Sequence, residues 1–300
     1  MDRIQTMSVF VAIAEAGSFA GAARRLGLSP PSATRAVAAL EARLGAKLLH
    51  RTTRSVHVTD AGARYLADCR RILTELDEIE RHVVGTHATP RGRVTVSASV
   101  MFGRMAVAPI LLDLLERHAE LTVNAMFVDR VVNIVEEGVD VAVRIAELPD
   151  SSLQAVRVGA VRRVVCASPE YLAANGAPAT PADLAAHATI DFVNAGRGDA
   201  WGFMAKGKAE VARHRPRLTV NVADAAIAAA KAGKGLTRVL SYMVAADVAA
   251  GMLTLVLEGF ALAPTPVHVV HKEPGLTSAR VRAVVDHLVD ALRGSPLLLA

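Results

Sequence analysis

The chain has 300 residues, 52% of them hydrophobic and 21% charged, a composition that suits a globular protein of about two domains and excludes a disordered or collagen-like one. Its formal net charge is +5, and the whole excess lies at one end: residues 1–65 carry nine basic and four acidic side chains, the other 235 carry 25 of each. An end-loaded positive charge points to a polyanion such as nucleic acid, and the absence of any run of about 18 uncharged apolar residues excludes a spanning helix by that criterion.

The first element is a helix. Arg3 and the apolar run Met7–Ala14 imitate a signal peptide, but Glu15 ends the run early, and Phe10, Ile13 and Ala14 recur at helical spacing. The chain is therefore expected in the cytoplasm. Cys69 and Cys166 form no CxxC pair and no disulfide framework, which agrees with a reducing compartment. Ser18 stands where an N-cap belongs, ahead of Ala20, Ala22, Ala23 and Leu26, and Gly27 ends this second helix. Ser29 followed by Pro30 starts a third, which runs through Val37, Leu40 and Leu44 to Gly45. Two short helices around a tight glycine-containing turn form a helix-turn-helix. Alternation then takes over from Leu49 to Val58, around Thr52-Thr53-Arg54, and predicts a β-hairpin, hence a wing.

Val37, Leu40 and Leu44 are expected to face inward, leaving Ser32, Thr34, Arg35 and Ala38 on or near the outer side. A recognition helix offers its N-terminal residues to base edges, where Arg35 can bond a guanine bidentately and Ser32 and Thr34 can reach bases or phosphates. Arg51, Thr53 and Arg54 cluster at the wing tip, ready for a minor groove or phosphates. With the entry residues Ser18, Ser29, Pro30 and Pro31 they make up the expected DNA-contacting set.

Thr59-Asp60 opens a long helix with Thr59 as N-cap and Asp60 matched to the helix dipole. Its apolar positions Tyr65, Cys69, Ile72, Leu76, Ile79 and Val83 are spaced 4, 3, 4, 3 and 4 apart, a heptad seam on which a second copy of the helix should pack. Gly85–Gly92 is a linker by composition.

From residue 93 strands alternate with helices, predicting an α/β domain with a largely parallel sheet. The expected strands are 93–98, 121–127, 139–145, 162–167, 217–221, 253–257 and 267–272. The expected helices are 104–118, 131–138, 169–175, 224–233 and 277–293. A search for catalytic apparatus finds no Walker A loop, HExxH, GxSxG or strand-borne GxGxxG, so no enzyme activity, cofactor or metal is expected. His268 and His271, three apart in a strand, point to opposite faces, and Gly233-Lys234-Gly235 reads as a helix C-cap rather than a phosphate loop.

Several stretches together resemble the LysR-type transcriptional regulators: Phe10-Val11-Ala12-x-Ala14-Glu15-x-Gly17-Ser18-Phe19, Ala22-Ala23-x-x-Leu26, and Ser29-x-x-Ser32-Ala33-x-Arg35-x-Val37-x-x-Leu40-Glu41-x-x-Leu44-Gly45. Arg51-Thr52-x-Arg54, Thr59-x-Ala61-Gly62, Glu136-Glu137-Gly138-x-Asp140-x-Ala142-x-Arg144 and Ala232-Gly233-x-Gly235-Leu236 extend the likeness. The resemblance implies an all-α winged helix-turn-helix over 1–59, a dimerising linker helix and hinge over 60–92, and a two-subdomain, periplasmic-binding-protein-like effector domain over 93–300. It places crossovers near Val161–Ala167 and Thr265–Val269, so that subdomain I is 93–160 plus 270–300 and subdomain II is 168–264. It also implies double-stranded operator DNA and a small-molecule effector as partners, and a homodimer that assembles further to a tetramer. The effector would lie between the subdomains at Ser99, Val100, Met101, Phe102 and Gly103, where a helix N-terminus favours an anion. Asp129 and Arg144 would face the same cleft, with Trp201, Phe203 and Asp224 approaching from the other side. Asp129 is acidic where carboxylate-sensing relatives often carry a hydroxyl.

The leading reading is thus a ligand-responsive, sequence-specific regulator. The alternatives are an architectural protein that binds DNA without sequence preference, and a binding protein or enzyme fused to a basic DNA-binding domain.

Overall fold

A computed structural model describes residues 2–51, 56–84, 89–149, 153–193, 201–272 and 278–299. The chain divides into two compact units, Met1–Ala88 and Thr89–Ala300.

The first unit is built from capped helices. Helix α1 (Arg3–Ala16) starts on Asp2, which accepts from the Gln5 amide, α2 (Phe19–Arg25) starts on Ser18, and α3 (Pro30–Leu44) starts on Ser29. Strands β1 (Leu49–Arg51) and β2 (Val56–Val58) pair antiparallel as the wing, and α4 (Asp60–Val84) follows, its Gly62 amide donating to the Thr59 hydroxyl at 2.9 Å. Each cap satisfies a backbone donor that the helix itself cannot. Phe10, Ile13, Ala22, Val37 and Leu40 pack into one core with Leu48 and Cys69. Leu44 does not join them, contrary to expectation, and is 42% exposed. It is the last residue of α3, and the inward position of that turn belongs instead to Glu41, which is buried.

In the second unit β3 (Gly92–Ala98) leads into a short α-turn, α5 (Val100–Phe102), a five-residue π-turn (Gly103–Val107) and α6 (Ala108–Arg117). Next come β4 (Leu121–Phe127), β5 (Val141–Ile145), β6 (Gln154–Val161), β7 (Arg163–Ala167), α7 (Pro169–Asn175) and β8 (Thr189–Phe192). The hairpin β9 (Gly202–Ala205) and β10 (Lys208–Val211), then β11 (Pro216–Val220), α8 (Ala223–Lys231), β12 (Leu236–Leu240) and α9 (Ser241–Ala249) follow. β13 (Thr254–Val256), β14 (Thr265–His271) and α10 (Ala279–Arg293) complete it.

Two five-stranded sheets result, in the orders β4-β3-β5-β14-β6 and β11-β8-β12-β7-β13. Neither is largely parallel: in each, two parallel pairings are followed by two antiparallel ones. The antiparallel half of each comes from the strands flanking the places where the chain changes sheet. It leaves the first sheet through Arg162, between β6 and β7, and returns between β13 and β14. The segment 265–269 expected as a crossover lies wholly in the first sheet, since β14 pairs with both β5 and β6.

No helix forms over 131–138, which is a series of turns. Asn133 Oδ1 accepts from the Val135 and Glu136 amides, an Asx turn that competes with helix, and Glu137 reaches back to Arg130 and to the Asn133 amide.

Candidate functional site

The outer face of α3 is organised by hydroxyls. Ser29 and Ser32 are hydrogen-bonded at 2.8 Å, the Thr34 hydroxyl donates to the Pro30 carbonyl at 3.0 Å, and Arg35 donates to Ser32 Oγ at 3.4 Å. Arg35 and Ala38 are exposed, Pro30 and Pro31 are exposed at the helix entry, and Ser32 and Thr34 are half-buried. Ser18 is committed to capping α2 through the Gly21 amide. Thr53 and Arg54 lie outside the described residues. Of Arg51 only the backbone is described, paired with Val56.

Glu41 ties α3 to the wing. One carboxylate oxygen accepts from the Leu48 and Leu49 amides at 2.9 and 3.2 Å, and the other from Lys47 at 2.7 Å. Burial alone would raise its pKa, but Lys47 and the two amides outweigh it and hold the carboxyl below its ordinary value. Glu15 does similar work at the surface, bridging Arg25 and Arg70.

The heptad seam divides in two. Tyr65 packs on Phe10 with ring centroids 5.6 Å apart and is half-buried, and Cys69 is fully buried in the core of its own unit, so Cys69 is not available to a partner helix. Both face inward because α1 covers the first turns of α4. Ile72 is 37% exposed and Leu76 half-buried; the side chains of Ile79 and Val83 lie outside the described set. Burial pushes the Cys69 thiol up, and pushes Cys166 to about 12, so neither is poised as a thiolate.

In the second unit the two sheets meet where β3 ends. The Phe102 ring meets Tyr242 of α9 edge-on at 5.2 Å, and Arg104 pairs with Asp224 of α8 at 2.9 Å. Asp129 Oδ1 accepts from the Val100 amide at 3.0 Å, so the N-terminal amide expected to hold an anion already holds a carboxylate of the protein. Ser99 Oγ and the Tyr242 hydroxyl are buried beside each other, and neither makes a well-formed hydrogen bond. Burial raises the Tyr242 pKa, the neighbouring Ser99 hydroxyl lowers it, and the Asp129 charge raises it.

Three expected cleft residues are elsewhere. Arg144 donates to the Val132 carbonyl, holding the 131–138 turns against β5 rather than facing the cleft. Trp201 and Phe203 are buried in a separate cluster with Val165, Tyr171 and Leu236, and Trp201 packs at a tilt on the His214 ring, centroids 4.7 Å apart. They close the other face of the second sheet because the β9–β10 hairpin folds over it. Met101, Phe102 and Gly103 are buried, and Val100 is 38% exposed. Tyr242 and Arg104, which complete the cluster, follow no motif; a Tyr opening an apolar helix was the only signal available.

Gly103 is required by a close approach: a Cβ there would lie 2.4 Å from the Phe127 ring. The π-turn beginning at Gly103 carries this backbone past the ring, a local irregularity of the kind found at functional sites. Gly103→Ala is expected to destabilise the second unit by about 2 kcal/mol through overpacking. Thermal unfolding of the variant, with melting within about 0.5 kcal/mol of wild type as the contrary result, checks this.

Among the described residues no three His, Cys, Asp or Glu side chains cluster as metal ligands, and no helix is long and apolar enough to cross a membrane.

Comparison with known proteins matches two parts of the chain. Residues 4–63 match the bacterial regulatory helix-turn-helix protein of the lysR family, and residues 87–293 match the LysR substrate binding domain. An HTH-type transcriptional repressor of Pseudomonas aeruginosa is 32% identical over 99% of this chain and 94% of its own length. The HTH-type transcriptional activator AaeR of Escherichia coli is 31% identical over 97% of this chain and 94% of its own. The structure of CrgA, a LysR-type transcriptional regulator from Neisseria meningitidis, superposes with a TM-score of 0.62 at 29% identity, covering 98% of this chain and all of that one. The two domain matches lie in the order of the two units and the relatives align almost end to end, so the chain belongs to the LysR family of DNA-binding transcriptional regulators.

Proposed function

We propose that this regulator works in the cytoplasm as a homo-oligomer, reads its operator through the N-terminal half of α3 and the wing, and adjusts that binding to a small molecule held where the two sheets of the second unit meet. The observation that carries the sensor half is the junction of the two sheets, where the Ser99 and Tyr242 hydroxyls are buried beside each other and neither makes a well-formed hydrogen bond to the rest of the protein. Buried polar groups are nearly always hydrogen-bonded, and a ligand between these elements would satisfy both. Since Asp129 already takes the Val100 amide, the charge there favours an effector that presents a hydroxyl or amine rather than a bare carboxylate. No step of catalysis is assigned to this cluster; ligand enters and leaves unchanged.

Footprinting on the DNA upstream of the protein's own gene tests the reading. Arg35→Ala is expected to cost roughly 1–3 kcal/mol of operator affinity and to relax preference at one or two base pairs. An equal fall on operator and random DNA would make Arg35 a phosphate contact and favour the architectural alternative.

A further inference from the structure

We infer that the face of the second sheet turned away from Tyr242 carries another binding pocket, suited to an organic monocarboxylate with an apolar body. Strand alternation separates it from the cleft described above. On β7, Val164 and Cys166 enter the core that holds Phe102 and Tyr242, whereas Val165 and Ala167 enter the opposite cluster with Trp201 and Phe203. On β12, Val239 likewise faces the first cluster and Leu236 the second. The pocket opens on this second side.

Its chemistry is two-sided. Arg162, Arg163 and Arg238 line it against a single acid, Glu258, so its lining carries a net positive charge. Arg238 is only 9% exposed and lies 6.0 Å from the Phe203 ring centroid, and Arg162 Nε is buried without a hydrogen-bond partner. Arg163 and Arg238 have other interactions within the protein, so the charge balance, not a vacancy, is the argument. The remaining wall is apolar, including Val256, Leu257 and Leu262. Guanidinium groups recognise carboxylates through paired hydrogen bonds. A cation would be repelled, and an inorganic anion would leave the aliphatic wall facing water. The cavity volume is about 20 Å³, room for a small head group only, and the cavity opens outward. A carboxylate head enters the narrow part while its body lies along the open aliphatic rim.

The location gives the pocket a consequence. Arg162 is the residue at which the chain crosses from the first sheet to the second, and Leu257–Leu262 lies in the segment that crosses back. A ligand there touches both crossings, so it shifts the angle between the sheets to the extent that it binds one arrangement better. This consequence, unlike the pocket itself, rests on the regulatory reading proposed above.

The test uses the full chain and sodium benzoate at constant ionic strength, followed by the emission of Trp201. It is the only tryptophan, and it adjoins Gly202 and Phe203 in the pocket wall. A saturable emission change is expected, with Kd raised at least about tenfold by Arg163→Gln and by Ala261→Phe, which narrows the pocket, while circular dichroism stays unchanged. Tyr242→Phe, on the other face, should leave Kd within about twofold, and sulfate should give no saturable change. A non-saturable response, an equal response to sulfate, or a response lost in Tyr242→Phe but kept in both pocket variants overturns the proposal. A saturable response with an unaltered operator footprint supports the pocket and overturns only the coupling to DNA.

Discussion

Glu41→Ala is expected to lower the stability of the first unit by about 3 kcal/mol, a shift in its melting temperature of roughly 10–20 °C. The ion pair with Lys47 contributes little of this, because Lys47 is 78% exposed and water screens it. The loss comes from the amides of Leu48 and Leu49, both in buried residues, which would be left without their acceptor. Each unmet buried amide costs about 1–3 kcal/mol. Glu41→Gln keeps one acceptor oxygen and should lose roughly half as much. The pH dependence has a definite sign. The folded-state pKa lies below the ordinary 4.5, so the contribution of the carboxylate is full above that value and disappears as pH falls through the folded-state value. The stability gap between wild type and Glu41→Gln should therefore be constant near neutrality and close on acidification. Urea titrations across this range, reading the first unit by amide exchange, would show it; a gap that widened on acidification would contradict the assignment.

The same carboxylate shows what sequence patterning reveals and what it hides. Helices α2 to α4 were readable because their starts are written locally, in Ser18, Ser29 and Thr59, and the stop of α3 in Gly45; α1 was readable from the spacing of Phe10, Ile13 and Ala14, while its cap Asp2 and its stop Gly17 went unread. Which residue of the last turn of α3 faces inward was not. Hydropathy favours Leu44, yet the backbone donors of Leu48 and Leu49 draw Glu41 in, and those donors arrive from another element. In the second unit β6, β8, β12 and α9 escaped notice for a similar reason. β6 contains Arg157 and Gly159 and is held as a strand by β14, more than 100 residues later, while α9 begins straight from β12 with no side-chain cap. The sensor cluster was half legible. Ser99 and Gly103 mark a strand-to-helix turn, but Tyr242 is brought to Phe102 by the pairing of β12 with β7, which no local pattern announces. Arg144 and Trp201 were misplaced because alternation states that a side chain leaves the sheet, not what the neighbouring loop offers it. For Arg144 that was the Val132 carbonyl, and for Trp201 the His214 ring.

Leu76→Asp should weaken operator binding by about two to four decades without unfolding the chain. The heptad seam begins against the core of its own unit, with Tyr65 packed on Phe10 and Cys69 fully buried, and emerges at Ile72, so its later part is the one that offers itself to a second copy of α4. At about 1.5 Å per residue, the helix continues for some 18 Å beyond Ile72, enough for nearly two heptads of contact. A carboxylate at Leu76 would sit in that contact, unpaired and desolvated in the dimer but hydrated in the monomer, which moves the association equilibrium and not the fold. Operator binding follows because two linked recognition helices bind as one event, and the gain from linkage is commonly 10²–10⁴. Cys69→Asp provides the contrast. It places the same charge seven residues, or about two turns, earlier on the helix but inside the unit's core, and should unfold the unit outright. Sedimentation velocity and footprinting on the two variants then separate the two halves of the seam. Leu76→Asp should give folded monomers that bind DNA weakly, and Cys69→Asp should give unfolded first units. A Leu76→Asp protein that sediments as the wild type would place the dimer contact outside the linker helix, and a folded Cys69→Asp monomer would return Cys69 to the seam.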